Sequence, residues 1–288
     1  MTISLDGIAP LAERYQGFIV DLWGVIHDGL APYPGALEAL SRLKQAGKRI
    51  VLLSNAPRRA ASAAAALRVL GVGDDLYDGI VTSGEVTYDL LVARHDPFFA
   101  ALGRRVYHLG PERDRNLLEG SGLDPVSSPA QAEFCLNTGP DDHRDPTSLE
   151  PFEAELAACL AAGLPMVCAN PDMKVIKGGV AILCAGALAR RYTEIGGSVR
   201  SVGKPDATVY EPVMAALGCE RGNAVAIGDS LATDMAGARA AGLDACWVLG
   251  GIHWQEVAAH SDSPHEGAVS ILDQAEHAPR YMTARFNW

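Results

Sequence analysis

Phe18-Ile19-Val20 is a short apolar run that begins after Gly17 and ends at Asp21, with Trp23 and Gly24 close behind. A run of this length bounded by turn residues reads as a strand buried on both faces, as in a parallel sheet. The form recurs. Arg49-Ile50-Val51-Leu52-Leu53 ends at Ser54-Asn55, Gly79-Ile80-Val81-Thr82 at Ser83-Gly84, and Ala224-Val225-Ala226-Ile227 at Gly228-Asp229. Helical stretches lie between the first runs. Ala36, Leu37, Leu40 and Leu43 keep helical spacing before Gly47, and Pro57 opens an alanine-rich segment reaching about Leu70. Strands alternating with helices predict an α/β fold with a doubly wound parallel sheet.

From residue 85 to 197 the rhythm continues as a separate unit. Strands are predicted at 105–109, 133–137 and 165–168, helices at 149–162 and 179–193, and an exposed, mobile loop at 138–148. Residues 199–202 then resume the style of the first unit, before helices at 208–217 and 235–241 and a strand at 244–249. The reading is a core of residues 1–84 and 198–288 interrupted by an insertion at 85–197. The tail, 279–288, is rich in aromatics and is predicted to dock on the core or on a neighbouring subunit.

Composition removes several classes. The net charge of −11 argues against a general nucleic-acid binder and against a peripheral membrane protein. The six cysteines, at 135, 159, 168, 184, 219 and 246, have no C-x-x-C spacing and sit mostly in apolar surroundings, as buried thiols of a reducing compartment do. No run reaches transmembrane length and the first residues carry no signal-peptide pattern, so the expected location is the cytoplasm. No G-x-G-x-x-G follows the first strand and no G-x-x-x-x-G-K-[ST] is present, which sets aside a dinucleotide dehydrogenase and an ATP-driven kinase.

What remains is a set of polar groups at one predicted rim: Asp21, Ser54-Asn55, Lys204, and Asp229 with Asp234. In open α/β sheets this rim is where ligands bind. Phosphoryl transfer through a carboxylate needs such a set. The anionic nucleophile and the anionic phosphate repel, so a divalent cation must bridge them. Mg²⁺ prefers oxygen ligands, which Asp21, Asp229 and a backbone carbonyl supply. Lys204 would neutralise the nucleophile and phosphate oxygens, and Ser54 with backbone N–H groups would hold the phosphoryl group. Each residue alone has an ordinary reading. Ser54-Asn55 is a helix start, Lys204 a surface lysine, Asp234 an acid at a helix N-terminus, and Asn170-Pro171-Asp172 a turn.

Together the stretches Asp21-Leu22-Trp23-Gly24-Val25, Leu53-Ser54-Asn55, Gly203-Lys204-Pro205 and Gly228-Asp229-Ser230-Leu231-Ala232-Thr233-Asp234 resemble, in order, the four motifs of the haloacid dehalogenase superfamily. The insertion, with Asn170-Pro171-Asp172 inside it and Thr82-Ser83-Gly84 just before it, resembles the class IIA cap of NagD-like phosphatases. The resemblance covers roughly residues 15 to 250. It implies a Rossmann-like core, a cap that closes over small phosphorylated metabolites, Mg²⁺-dependent ester hydrolysis, and dimerisation through the cap. It further implies that Asp21 is nucleophile and metal ligand, that Trp23 is a ligand through its carbonyl, and that Asp229 binds the metal. Asp234 would bind the metal or orient its waters. Asn55, Asn170 and Asp172 would contact substrate.

One position departs from that pattern. Phosphatases of the superfamily carry a second aspartate two residues after the nucleophile, as general acid and base, and here that position is Trp23. Indole offers only a donor N–H and exchanges no proton near neutral pH. Loss of a general acid typically costs about a hundred- to ten-thousand-fold in rate. Either His27 or Asp28 replaces it, or the substrate's leaving group needs no acid, or the protein binds a phosphorylated ligand in a regulatory role. A slow or specialised phosphatase is the first reading and the binding protein the alternative.

Overall fold

The computed structural model describes residues 2–261, 263–273 and 278–288. Gly17–Val20 is a strand with every residue buried, and so is Ala224–Gly228, its parallel neighbour. The larger sheet has seven strands, in the order Ile3–Leu5, Tyr281–Thr283, Asp244–Val248, Ala224–Gly228, Gly17–Val20, Arg49–Ser54, Gly79–Thr82. Every pairing is parallel.

Burial on both faces explains the unbroken apolar runs. Successive side chains of a strand point to opposite faces. Phe18, Val20, Ile50, Leu52, Val225 and Ile227 accordingly pack in one core, and Ile19, Val51, Leu53, Ala224 and Ala226 in the other. Helix Ala36–Gln45 covers the first face with Ala36, Ala39, Leu40 and Leu43, and helix Tyr210–Leu217 covers the second with Tyr210, Val213, Met214 and Leu217. The predicted doubly wound parallel fold is observed.

A second sheet of five parallel strands follows the order Val199–Ser201, Met166–Cys168, Phe134–Asn137, Arg105–Leu109, Asp124–Val126. It is also covered on both faces, by one core around Phe99, Val106 and Phe134 and another around Phe152, Leu156 and Tyr192.

Three local readings are corrected. Residues 199–202 do not return to the first sheet: Val199–Ser201 pairs with Met166–Cys168 and closes the edge of the second. The helix read over 179–193 is an antiparallel hairpin, Lys174–Lys177 with Val180–Leu183, followed by helix Ala185–Glu194. Gly178 and Gly179 both take positive φ, +54° and +82°, which a two-residue hairpin turn requires and which ends any helix. The alanine-rich helix runs Ala60–Val69, not from Pro57, because Glu85 reaches back to accept hydrogen bonds from Ala60 N and the Arg59 guanidinium and so caps it there. The aromatic tail lies on the core, one of the two expected positions: Tyr281–Thr283 is an inner strand and Phe286 is fully buried. All six cysteines are free, five of them buried and Cys219 half-buried.

Candidate active site

From the central pair Gly17–Val20 and Ala224–Gly228 the chain winds outward in opposite directions, so their C-terminal ends meet at a topological switch point. Asp21 and Asp229 follow these two strands directly, and Ser54 ends the strand beside Asp21. Asp234 arrives differently. Residues Leu231–Met235 form one wide π-turn, with Asp234 N and Met235 N both donating to Ser230 O, and the turn aims the Asp234 carboxylate inward. Lys204 comes from the loop after Val199–Ser201, the last strand of the second sheet.

These residues converge. Lys204 Nζ donates to Asp21 Oδ1 at 2.6 Å, to Asp234 Oδ1 at 2.6 Å and to Leu53 O at 3.2 Å. Asp21, Asp229 and Asp234 are all buried, and each offers a carboxylate oxygen within 4.8 Å of the others. Asp229 Oδ2 accepts from Ile252 N at 2.7 Å, and its backbone carbonyl accepts from Trp247 Nε1 at 2.8 Å. Ser230 N donates to Asp234 Oδ2 at 3.1 Å. Gly24, at φ +79°, lets the loop after Asp21 pass against this group: a Cβ there would lie 1.8 Å from Asp229 Oδ2.

Burial dominates the electrostatics. Desolvation, with Asp234 adding to it against the opposing pull of Lys204, pushes the Asp21 carboxyl up to about 7. Desolvation and the charges of Asp21 and Asp234 push Asp229 well above the carboxylate range. Burial alone would lower Lys204, but Asp21, Asp234 and Asp172 outweigh it and hold the ammonium charged. Three carboxylates thus face one ammonium, and all are oxygen donors of the kind a hard divalent cation takes.

The remaining expected residues are also here. Ser54 Oγ accepts from Ala56 N at 3.2 Å. Asn55 is buried; its Oδ1 accepts from Lys204 N at 2.8 Å, and its Nδ2 donates to Lys204 O at 3.1 Å and to Asp172 Oδ1 at 2.8 Å. Asn170 Oδ1 accepts from Asp172 N at 2.9 Å, forming a turn. Trp23 is half-buried, lies edge-on to His27 with ring centroids 5.1 Å apart, and covers Gly29, where a Cβ would be 2.2 Å from its ring.

Neither His27 nor Asp28 is free to serve as an acid. His27 is 4% exposed, its Nδ1 accepts from Gly29 N at 3.0 Å, and burial lowers it to about 4. Asp28 Oδ1 accepts from Ala31 N and Leu30 N, and these bonds hold the carboxylate ionised.

Except for Asp28, these groups line a cleft of about 1360 Å³ between the two sheets. Part of its lining escaped the sequence reading. Arg58 lies 3.5 Å from buried Asp114, and Lys174 and Lys177 stand on the hairpin. Gly178-Gly179 was the signal for the hairpin. Arg58 and Asp114 carried none, since they are joined only by tertiary contact.

Buried carboxylates and one ammonium at the switch point of a parallel sheet, facing a cleft under a second α/β unit, define an α/β protein with a site for an anion and a cation. Residues 18–124 match the family model described as haloacid dehalogenase-like hydrolase, and residues 201–276 match one for HAD-like hydrolases. The chain is 30% identical over 239 residues to sugar-phosphatase AraL of Bacillus subtilis, covering 82% of this chain and 83% of that protein. Its structure is similar to that of a hydrolase of the haloacid dehalogenase-like family from Brucella suis, with TM-score 0.83, 32% identity and coverage of 98% and 99%. A glycerol phosphate phosphatase from Mycobacterium tuberculosis in complex with magnesium aligns with TM-score 0.64 and 28% identity, over 86% of this chain and 72% of that one. The chain belongs to the haloacid dehalogenase-like hydrolase family.

Proposed function

We propose that the protein is a divalent-metal-dependent phosphatase of small phosphorylated metabolites, acting through an aspartyl-phosphate on Asp21. The observation that carries this reading is the arrangement at Asp21: Lys204 Nζ holds Oδ1, and Asp21, Asp229 and Asp234, all lining the cleft, each offer a carboxylate oxygen within 4.8 Å of the others. The named activities of AraL and of the Mycobacterium tuberculosis enzyme support the substrate class, and the latter's magnesium complex supports the cation. In this reading residues 1–84 form the core with the segment that follows Ser201, and 85–201, the expected 85–197 insertion extended by the strand Val199–Ser201, form a class IIA cap.

Asp21, Asp229 and the Trp23 carbonyl would hold Mg²⁺, with Asp234 orienting its waters, because both Asp234 oxygens already accept hydrogen bonds. The bound cation would offset the charge of nucleophile and phosphate. The Asp21 carboxylate attacks phosphorus and the bond to the ester oxygen breaks, leaving an acyl phosphate on Asp21. Lys204 and Ser54 neutralise and hold the phosphoryl oxygens. Water then attacks the same phosphorus and frees Asp21 and inorganic phosphate. With Trp23 at position 23, and His27 and Asp28 both engaged, the leaving oxygen takes its proton from solvent. The enzyme therefore favours esters with good leaving groups.

A second reading, a protein that binds a phosphorylated ligand with little turnover, is favoured by the same indole. Phosphate release from a panel of phosphometabolites with Mg²⁺, with Asp21→Asn alongside, separates the two. Release that the variant lacks supports the phosphatase. No release from folded protein leaves the binding role.

A further inference from the structure

Asn55 touches Lys204 twice through the backbone of that one residue, its amide oxygen on the N–H and its amide nitrogen on the C=O. This clamp fixes the stem from which Nζ reaches Asp21. The approach is close: a Cβ on Gly203 would lie 2.6 Å from Asn55 Oδ1. The second N–H of the Asn55 amide goes to Asp172, which lies 117 residues away on the second unit. Both donors of the amide are thereby spent, its oxygen accepts from Lys204 N, and Asn55 is 3% exposed.

Asp172 sits on a rigid arm. Asn170 Oδ1 holds Asp172 N, Cys168 Sγ donates to Asn170 O, and Gly186 N at the start of helix Ala185–Glu194 donates to Asp172 O. Gly186 has no room for a Cβ, which would lie 2.2 Å from Pro171 O and 2.5 Å from Asp172 O. The carboxylate is therefore presented to Asn55 by the framework of the second unit and not by a loose loop.

We infer that Asp172 and Asn55 are positioning residues, which together hold the Lys204 ammonium on Asp21. Asp172 orients the Asn55 amide by accepting its hydrogen bond, and the amide then sets the Lys204 backbone. The second unit thus reaches the reactive centre through the Asn55 amide, beside the direct pull of the Asp172 charge on the Lys204 ammonium, and Asp172 acts on Asn55 as a hydrogen-bond acceptor and not as a proton donor. The kinetic arm of the test rests on the phosphatase reading; the structural arm does not.

The test compares Asp172→Ala, Asp172→Asn, Asn55→Ala and the double alanine variant in the full chain. Turnover of p-nitrophenyl phosphate with Mg²⁺ is measured, and the crystal structure of each metal-free variant is determined. Loss of a group that orients a reacting side chain typically costs about 10- to 100-fold, so Asp172→Ala should lose that much in kcat with KM little changed. Asp172→Asn keeps an acceptor oxygen and should recover most of the rate. The double variant should be no slower than Asn55→Ala, because both act along one path. In the crystal, Lys204 Nζ should leave Asp21 in Asp172→Ala and keep its contact in Asp172→Asn.

The inference is overturned if Asp172→Asn is as impaired as Asp172→Ala, if the two alanine effects multiply, or if Lys204 Nζ stays on Asp21 in folded Asp172→Ala. Should the wild-type protein hydrolyse no phosphate ester, only the phosphatase reading fails. The position of Lys204 in the crystals then decides the relay.

Discussion

Lys204 Nζ lies 2.6 Å from Asp21 Oδ1, and both side chains are buried. Removing one member of a buried pair leaves the other charge uncompensated, which typically costs about 3–5 kcal/mol. Lys204→Met keeps most of the apolar stem of the side chain and deletes the charge. It should lower stability by that amount in denaturant titration, and reduce phosphate release by at least about a hundredfold. A variant with wild-type rate would remove Lys204 from the mechanism.

Asp21, Asp229 and Asp234 crowd three acids into one buried site, so a divalent cation should stabilise the fold. Binding only to the native state adds about 2.7 kcal/mol at a hundred times Kd. Thermal melts with and without Mg²⁺ should show a rise of several degrees in wild type, reversed by EDTA. Asp229→Asn should abolish most of the response. An unchanged melt would argue against a cation at these residues.

Trp23 stands over Gly29 and against His27, where it packs but transfers no proton. Wild type should hydrolyse p-nitrophenyl phosphate far better than an alkyl phosphate. Trp23→Asp supplies an acid, and should raise the alkyl rate by up to about a hundred- to ten-thousand-fold while moving the aryl rate much less. The cost is lost packing, visible as a lower Tm. Equal gains on both substrates would contradict the argument from the leaving group.

His27 supplies a pH dependence of stability. Its folded-state value is lowered to about 4, against 6.5 in the unfolded chain, because burial disfavours the imidazolium. The stability is complete above pH 6.5 and is lost as pH falls from there toward 4, because the unfolded chain takes up the proton first. The full loss is about 3 kcal/mol. Replacing it with His27→Gln should flatten the stability curve between pH 7 and 5, measured by denaturant unfolding at each pH. A variant curve parallel to wild type would place the acid sensitivity elsewhere, for example at His108, also lowered to about 4 by burial.

Phe18 to Val20, Ile50 to Leu53 and Val225 to Ile227 were legible because a parallel strand covered on both faces has no polar position to hide its pattern. Asp21, Ser54 and Asp229 were legible for the same reason. Each ends or directly follows such a strand, so its place on the rim comes from one-dimensional order alone. The second strand of the hairpin, Val180–Leu183, was read into the helix over 179–193 although Gly178-Gly179 marked a turn, since a short apolar run fits a helix equally well.

The chain by itself determined the doubly wound sheet, the rim and the acids that would meet there, because local periodicity and strand ends carry that information. Only the tertiary structure decided that Val199–Ser201 belongs to the second sheet, which makes Lys204 arrive from that side. It alone decided that Glu85 caps the helix at Ala60, that Trp23 packs on Gly29, and that Asp172 holds Asn55 on Lys204. Most of these contacts join residues 25 to 149 positions apart. A hydrogen bond over such a separation leaves no periodic trace in sequence, because it depends on how whole elements pack and not on which residues neighbour one another along the chain.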